Sequence, residues 1–353
     1  MAATIHSIGT AFPPFSFSAE EAEERLSVIF AGLGERPELV RQIVQNSGIE
    51  RRFLARPPSW YLEHESLKQR NDAYSEVARE LGLEAARAAL EAAKVKPSEV
   101  DVLIDTSCTG VMIPALDAYL SNALGMRKDV RRIPLTEAGC AAGATSLALA
   151  TDLLKTRPGG TALLVSLELP SLTLQLDDPR RANVISAAIF GDGCAALVLA
   201  DRPAAGPSVE VLAHTCTLFP NTESIMGFDL GDRGFEIILS KRIPLLIRKH
   251  LRAEVDDFLE RQGLSLAALD FFALHPGGTK VISSLREVLD LEDAQVQASR
   301  DVLREYGNLS SASVHMVTKR LLDQGAIRPG ALGLLAAMGP GFCVELSLLR
   351  GVA

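Results

Sequence analysis

The sequence predicts a layered α/β fold built from two related halves, and three observations carry that prediction. Strand-like segments alternate with helical ones along most of the chain. Several strands are apolar without interruption, as Ala195 to Ala200 is, which belongs to sheets covered by helices on both faces. One arrangement of elements also occurs twice, with Cys140 and Asn308 at equivalent points 168 residues apart.

In chain order, Thr4 to Gly9 reads as a first strand. Ser18-Ala19-Glu20-Glu21 is a capping box that opens an amphipathic helix through about Leu33, an addition to the duplicated core. Residues 96–110 give a polar turn and a buried strand ending at Gly110. Gly139-Cys140-Ala141-Ala142-Gly143 then begins an Ala/Leu helix, closed by Arg157-Pro158-Gly159 and followed by a strand from Ala162 to Ser166. The second half repeats this order. Residues 265–278 form the turn and strand, Gly307-Asn308 begins a helix, and Arg328-Pro329-Gly330 precedes a strand from Leu332 to Ala336. The turn-rich stretch Asp201 to Pro207 divides the halves, 1–203 with Cys140 and 204–353 with His275 and Asn308, and Val209 to His214 restarts the pattern as a strand.

Composition narrows the class. The 353 residues are 47% hydrophobic and 23% charged, the profile of a globular protein with a large core. Lys and Arg number 36 against 44 Asp and Glu; the resulting charge of −8 repels nucleic acid, so an anionic ligand needs a local basic patch. No basic segment precedes an apolar run at the start, and no stretch of ~18 uncharged apolar residues occurs, so the expectation is a cytoplasmic protein without a membrane span. The five cysteines form no C-x-x-C pair, which suggests neither a disulfide framework nor a zinc site.

If the halves face each other across a pseudo-twofold axis, equivalent turns meet. Cys140 and Asn308 each follow a glycine at a helix start, and His275 ends a strand equivalent to the one ending near Ser107 and Cys108. A lone cysteine is usually a small core residue, a lone histidine a structural one and a lone asparagine an N-cap. Three such residues converging on one place read instead as a nucleophile and its partners. A helix N-terminus and a neighbouring imidazolium both favour a thiolate at Cys140.

The stretches Glu137-Ala138-Gly139-Cys140, Phe190-Gly191-Asp192-Gly193, Leu274-His275-Pro276-Gly277-Gly278, Tyr306-Gly307-Asn308-Leu309-Ser310-Ser311 and Gly339-Pro340-Gly341 together resemble the type III polyketide synthases, the chalcone synthase-like branch of the thiolase superfamily. In appearance the chain is nearest to their bacterial alkylpyrone and alkylresorcinol synthases. The resemblance implies the thiolase-like duplicated αβαβα fold and a Cys-His-Asn site. Cys140 would take an acyl group from a coenzyme A thioester, and His275 and Asn308 would hold the thioester oxygen of malonyl-CoA while decarboxylation leaves an enolate to attack the acyl group. No metal and no permanently bound cofactor are implied.

Further residues acquire roles by the same resemblance. Phe190 and Phe235 match aromatic gates between a coenzyme A tunnel and the reaction cavity, while Thr173, Gly227 and Ser310 match cavity positions. Gly339-Pro340-Gly341 matches a cavity-shaping loop in which a side chain would meet the growing product, and Cys108 is placed near Cys140. Arg51 and Arg52 match a basic stretch at the tunnel mouth; the run Arg127-Lys128 with Arg131-Arg132 matches no family position. Cys194, Cys216 and Cys343 are assigned to the core. A homodimer is implied, with Ile113 reaching towards the partner's cavity.

The Ser107 to Gly110 and Met112 to Tyr119 stretches are like those of bacterial enzymes that take fatty acyl starters, and Gly143, Ala144, Ala187 and Ala188 are small enough to leave room for an alkyl tunnel. The expected reaction is iterative condensation of malonyl-CoA onto a fatty acyl-CoA starter, closing to an alkylpyrone or alkylresorcinol. Alternatives are a 3-oxoacyl-[acyl-carrier-protein] synthase III-like enzyme, and a chalcone synthase-like enzyme using aromatic or malonyl starters. A papain-like protease lacks its Cys-Gly-x-Cys signature here, and an acyl-CoA binding protein without turnover sits poorly with three intact catalytic positions.

Overall fold

The structure, a computed structural model, describes residues 3–63 and 66–353. The first half contributes strands β1 (Thr4–Ala11), β2 (Phe15–Ser18), β3 (Arg51–Leu54), β4 (Val102–Ser107), β5 (Arg131–Thr136), β6 (Thr161–Glu168) and β7 (Gly193–Ala200). The second contributes β8 (Ser208–Leu218), β9 (Met226–Gly231), β10 (Gly234–Leu239), β11 (Phe271–Leu274), β12 (Leu332–Gly339) and β13 (Cys343–Val352). Helices of the first half are α1 (Ala19–Ala31), α2 (Pro37–Ser47), α3 (Trp60–Glu63), α4 (Leu67–Ala93), α5 (Leu116–Leu124), α6 (Ala142–Lys155) and α7 (Arg181–Ile189). Those of the second are α8 (Ile243–Glu260), α9 (Thr279–Val288), α10 (Gln297–Tyr306) and α11 (Ser313–Asp323).

Nine strands form one sheet in the order β11-β12-β13-β8-β1-β7-β6-β4-β5. Reading inward from each side, β4-β6-β7-β1 and β11-β12-β13-β8 repeat the same sequence of one parallel and two antiparallel pairings. The quartets join where β1 meets β8 antiparallel, Thr4 opposite Glu210 and Ile5 opposite Val209. β6 and β7 are buried at every position, as uninterrupted apolar strands must be when both faces are covered.

Helices α6 and α11 fill the space between the two halves of the sheet. α6 touches β4 and β6 of its own half and β8, β12 and β13 of the other; α11 touches β11 and β12 as well as β1 and β7. α4 covers the outer face of the first half and α8 with α9 that of the second, completing an αβαβα layering. The central core is shared, with Ala144, Leu147 and Leu197 meeting Val314, Val317 and Leu335. Gly143 lets the middle layer close, since a Cβ there would lie 2.2 Å from the Ser311 carbonyl oxygen. Gly143, Ala144 and Ala188 are therefore packing residues, not the walls of an alkyl tunnel: Ala144 belongs to the central core, and Ala188 to the cluster that α1, α2 and α7 form around Phe30.

The capping box at Ser18 forms as expected, with Ser18 N donating to Glu21 and Glu21 N to Ser18 Oγ, although α1 ends at Ala31. Cys194 is buried, whereas Cys216 is exposed and Cys343 half-buried, because β8 emerges from cover towards its C-terminal end. Two members of the basic run near residue 130 are held in ion pairs, Arg127 with Asp101 and Asp129 and Arg132 with buried Asp117. Among the described residues, no helix is long and apolar enough to cross a membrane.

Candidate active site

Two equivalent turns build the site. Gly139–Ala141 is a short 3₁₀ turn that runs into α6, and Ser310–Ala312 is its counterpart ahead of α11. Gly139 has φ +56°, a conformation that favours glycine, and a Cβ on it would lie 2.6 Å from Pro340. The Gly139–Ala141 turn of one half thus rests on the Gly339-Pro340-Gly341 loop of the other.

Cys140, His275 and Asn308 all line one cavity of about 1170 Å³. Cys140 is 7% exposed and His275 and Asn308 are each 2% exposed. His275 directly follows β11, and its backbone N–H donates to Ala336 (2.9 Å). Its Nδ1 has no protein partner. Asn308 is fixed at both backbone and side chain: its N–H donates to Ile189 (2.8 Å), and its carbonyl accepts from Gly191 (3.1 Å). Its Oδ1 accepts from Ser310 N (2.8 Å) and Ser313 Oγ (3.3 Å). With the oxygen occupied by two donors, the NH₂ end of the amide is the one left for a ligand.

Burial sets the protonation states. It pushes the Cys140 thiol up to about 12, helped by the nearby charge of Glu168, while hydrogen bonds from the side chains of Ser310 and Asn308 pull the other way. It pushes the His275 imidazole down to about 4. Desolvation thus works against charge on either group and opposes the pairing that a thiolate and an imidazolium would gain from each other.

Glu168 is a further residue of the site that no motif in the sequence marks. It ends β6 fully buried and accepts from Ser311 Oγ (2.7 Å), Thr109 Oγ1 (2.9 Å), Cys108 N (3.1 Å) and Ser310 Oγ (3.2 Å). The Cys108 Sγ lies 3.6 and 3.7 Å from its oxygens. Burial raises the Glu168 pKa, and the same burial, with the Glu168 charge next, holds the Cys108 thiol well above its usual value. The one available signal was a lone carboxylate closing a buried strand that carries no other charge.

The cavity also takes in Cys108, Thr173, Phe190 and Gly227, and, on its other walls, Phe235, Ser310, Pro340 and Gly341. Phe190 is tied to the Gly307-Asn308 segment by a bridge to Asn308, and Phe235 meets Phe228 edge-on at 5.6 Å. Gly339 does not reach the cavity. A Cβ there would lie 2.6 Å from the Cβ and 2.8 Å from the N of Ala141, so the glycine makes room for the Gly139–Ala141 turn and not for a ligand in the cavity.

Neither Arg51 nor Arg52 lines the cavity. Side chains alternate along β3, which sends Arg52 inward, 7% exposed, to donate to the Ala187 carbonyl beside Asp192. Arg51 lies over the Phe53 ring (5.1 Å). The cations that do line the cavity are Arg181, Lys241 and Lys280. No group of metal-ligating side chains occurs among the described residues.

The sequence matches the N-terminal domain of chalcone and stilbene synthases over residues 2–203 and their C-terminal domain over residues 210–353. It is 38% identical over 351 residues to a 1,3,6,8-tetrahydroxynaphthalene synthase of Streptomyces peucetius subsp. caesius, covering 98% of this chain and 93% of the relative. A phloroglucinol synthase of Pseudomonas fluorescens is 34% identical, over 96% of each chain. The solved structure of the 1,3,6,8-tetrahydroxynaphthalene synthase of Streptomyces coelicolor A3(2), described as a bacterial type III polyketide synthase, superimposes with a TM-score of 0.94 at 32% identity over 99% of both chains.

Proposed function

The chain belongs to the chalcone and stilbene synthase family, the type III polyketide synthases, and from that premise we propose that this acyltransferase extends an acyl group held on Cys140 by repeated decarboxylative condensation with malonyl-CoA. The observation that carries the reading is the convergence, in one cavity, of a buried thiol, an imidazole with an unpartnered nitrogen and an amide whose oxygen is already occupied. The halves meeting there are 1–203 and 204–353.

A neutral imidazole can accept the thiol proton as the Cys140 sulfur attacks the starter thioester and coenzyme A leaves as its thiol. Malonyl-CoA then presents its thioester oxygen to the His275 N–H and the Asn308 NH₂. As carbon dioxide departs, negative charge collects on that oxygen, where the two donors stabilise it. The enolate carbon attacks the acyl-Cys140 carbonyl and releases the sulfur, leaving a chain two carbons longer on coenzyme A. Asn308 holds its donor end in place because Ser310 and Ser313 fix the other end.

Lys241 and Lys280 line the cavity, Lys280 in the first turn of α9, and are the residues we assign to the phosphates of coenzyme A in place of Arg51 and Arg52. Replacing both by alanine is expected to raise KM for malonyl-CoA about tenfold while kcat stays within about twofold, since phosphate contacts far from the reacting carbon bind ground and transition states alike. The chain is taken to act as a homodimer, with Ile113, 94% exposed, directed at the partner; mass measurement in solution checks this.

For the starter we propose a fatty acyl-CoA, with ring closure to an alkylpyrone or alkylresorcinol, supported by the apolar walls that Ile185, Ile189, Ile237 and Leu239 give the cavity. A second reading, malonyl-CoA as both starter and extender, is favoured by the relatives named for tetrahydroxynaphthalene and phloroglucinol, whose alternating ring oxygens are what two-carbon units alone lay down. Product mass analysis separates them. Starter-dependent alkyl products support the first, a single product from malonyl-CoA alone supports the second, and a strict need for malonyl-carrier protein overturns both.

A further inference from the structure

We infer that Glu137 is the base that closes the ring through carbon, its carboxylate removing a proton from a methylene between two carbonyls of the extended chain. The inference rests on the proposed extension at Cys140 and adds how the finished chain is closed.

Glu137 directly follows β5 and stands three residues before Cys140, so the Cα atoms of the two are at most ~11 Å apart. The glutamate side chain and a ketide held on the sulfur cover that span together. The Glu137 backbone is left-handed, φ +66°, as is that of Gly139. Glycine supplies this conformation freely at Gly139, whereas Glu137 adopts it with a Cβ crowded against the following carbonyl oxygen. Residues held in this way collect at active sites, where the surrounding structure overrides their preference. Glu137 lines the reaction cavity, and among the described residues no hydrogen bond or ion pair engages its carboxylate.

The other acceptors near the site are engaged or lie elsewhere. Glu168 already accepts from Ser311, Thr109, Cys108 and Ser310 and does not line the cavity. Asp229, in β9, lies in the field of the Arg180 guanidinium, and Glu223 lines the cavity from the segment between β8 and β9, which carries none of the three reacting residues. The Asn308 oxygen is occupied, and in the proposed extension His275 serves the sulfur and the thioester oxygen. In closure through carbon, the Glu137 carboxylate takes the C–H proton and the electron pair left behind forms a C–C bond to a ketone carbon further along the chain. That ketone's oxygen then takes the proton back from Glu137. The chain is isomerised to a ring, nothing is oxidised or reduced, and the carboxylate is restored. Closure through oxygen needs no such base, because an enol oxygen attacks the thioester and displaces the thiol to give a lactone.

The measurement is the ratio of carbocyclic to lactone products built from equal numbers of malonyl units, formed from octanoyl-CoA and malonyl-CoA, or from malonyl-CoA alone where the wild type refuses octanoyl-CoA. Glu137→Gln keeps the shape of the side chain and loses the base, and the ratio is expected to fall about tenfold or more. Glu137→Gly suits the left-handed backbone, so its Tm is expected to match or exceed the wild type's while its ratio falls as far. An unchanged ratio in either variant overturns the assignment, as does a wild type that releases only lactones; the extension reading stands in both cases. A wild type that lengthens no chain overturns the extension reading and this inference with it.

Discussion

At Cys140 burial works against charge. Burial, with the Glu168 charge nearby, pushes its thiol up to about 12, and burial pushes the His275 imidazole down to about 4. A thiol whose folded pKa is raised is fully protonated at neutral pH, so its thiolate fraction grows with pH across the whole accessible range. Alkylation of Cys140 by iodoacetamide, read by peptide mass, is therefore expected to accelerate about tenfold per pH unit from pH 7 to 10; a plateau below pH 8 would instead show a preformed thiolate–imidazolium pair. The three residues were legible because Cys140 and Asn308 open equivalent helices and His275 ends a repeated strand. Glu168 was not, since a single acid after an apolar run looks like the point where a strand reaches solvent. Arg52 was misread because an Arg-Arg pair does not disclose which member a short strand turns inward.

Between elements, the contact of β12 with the nucleophile turn is tight enough to test. Gly339→Ala places a Cβ 2.6 Å from that of Ala141, and the backbone of one turn has to yield. We expect a loss of about 1–3 kcal/mol in denaturant unfolding and a fall in kcat of at least about tenfold with little change in KM for malonyl-CoA, because the residue touches the nucleophile turn and not the cavity. A second site lies where β4, α5 and β5 meet. Asp105 and fully buried Asp117 each have one side-chain oxygen without a partner, and Arg132 pairs with Asp117. Burial, with the Asp117 charge next, raises Asp105 to about 7. Its folded pKa lies above the unfolded value of ~4, so the folded state binds the extra proton and stability falls as pH rises from about 4 to 7. Asp105→Asn removes that cost. Its unfolding free energy is expected to exceed the wild type's by an amount on the order of a few kcal/mol at pH 8 and to match it near pH 4.

Across the whole molecule, duplication places the chemistry. The two quartets of strands share one order and join at β1 and β8, and so the turns before α6 and α11 face each other with β11 delivering His275 between them. This much could be read from the repeated strand, turn and helix segments and their matching Arg-Pro-Gly turns. Which small residues line open space could not. Small residues at 143, 144 and 188 looked like open space but serve close packing, since a sequence shows the size of a side chain and not what lies against it. The central claim is that Cys140 carries the growing chain while malonyl-CoA loses its carboxyl group to extend it. Its most direct test is peptide mass mapping of enzyme quenched during turnover with an acyl-CoA starter and malonyl-CoA. The Cys140 peptide is predicted to carry the starter and the starter plus successive two-carbon ketide units, with no product from the Cys140→Ala enzyme. Chains found on Cys108 instead, or undiminished product from that variant, would contradict the account.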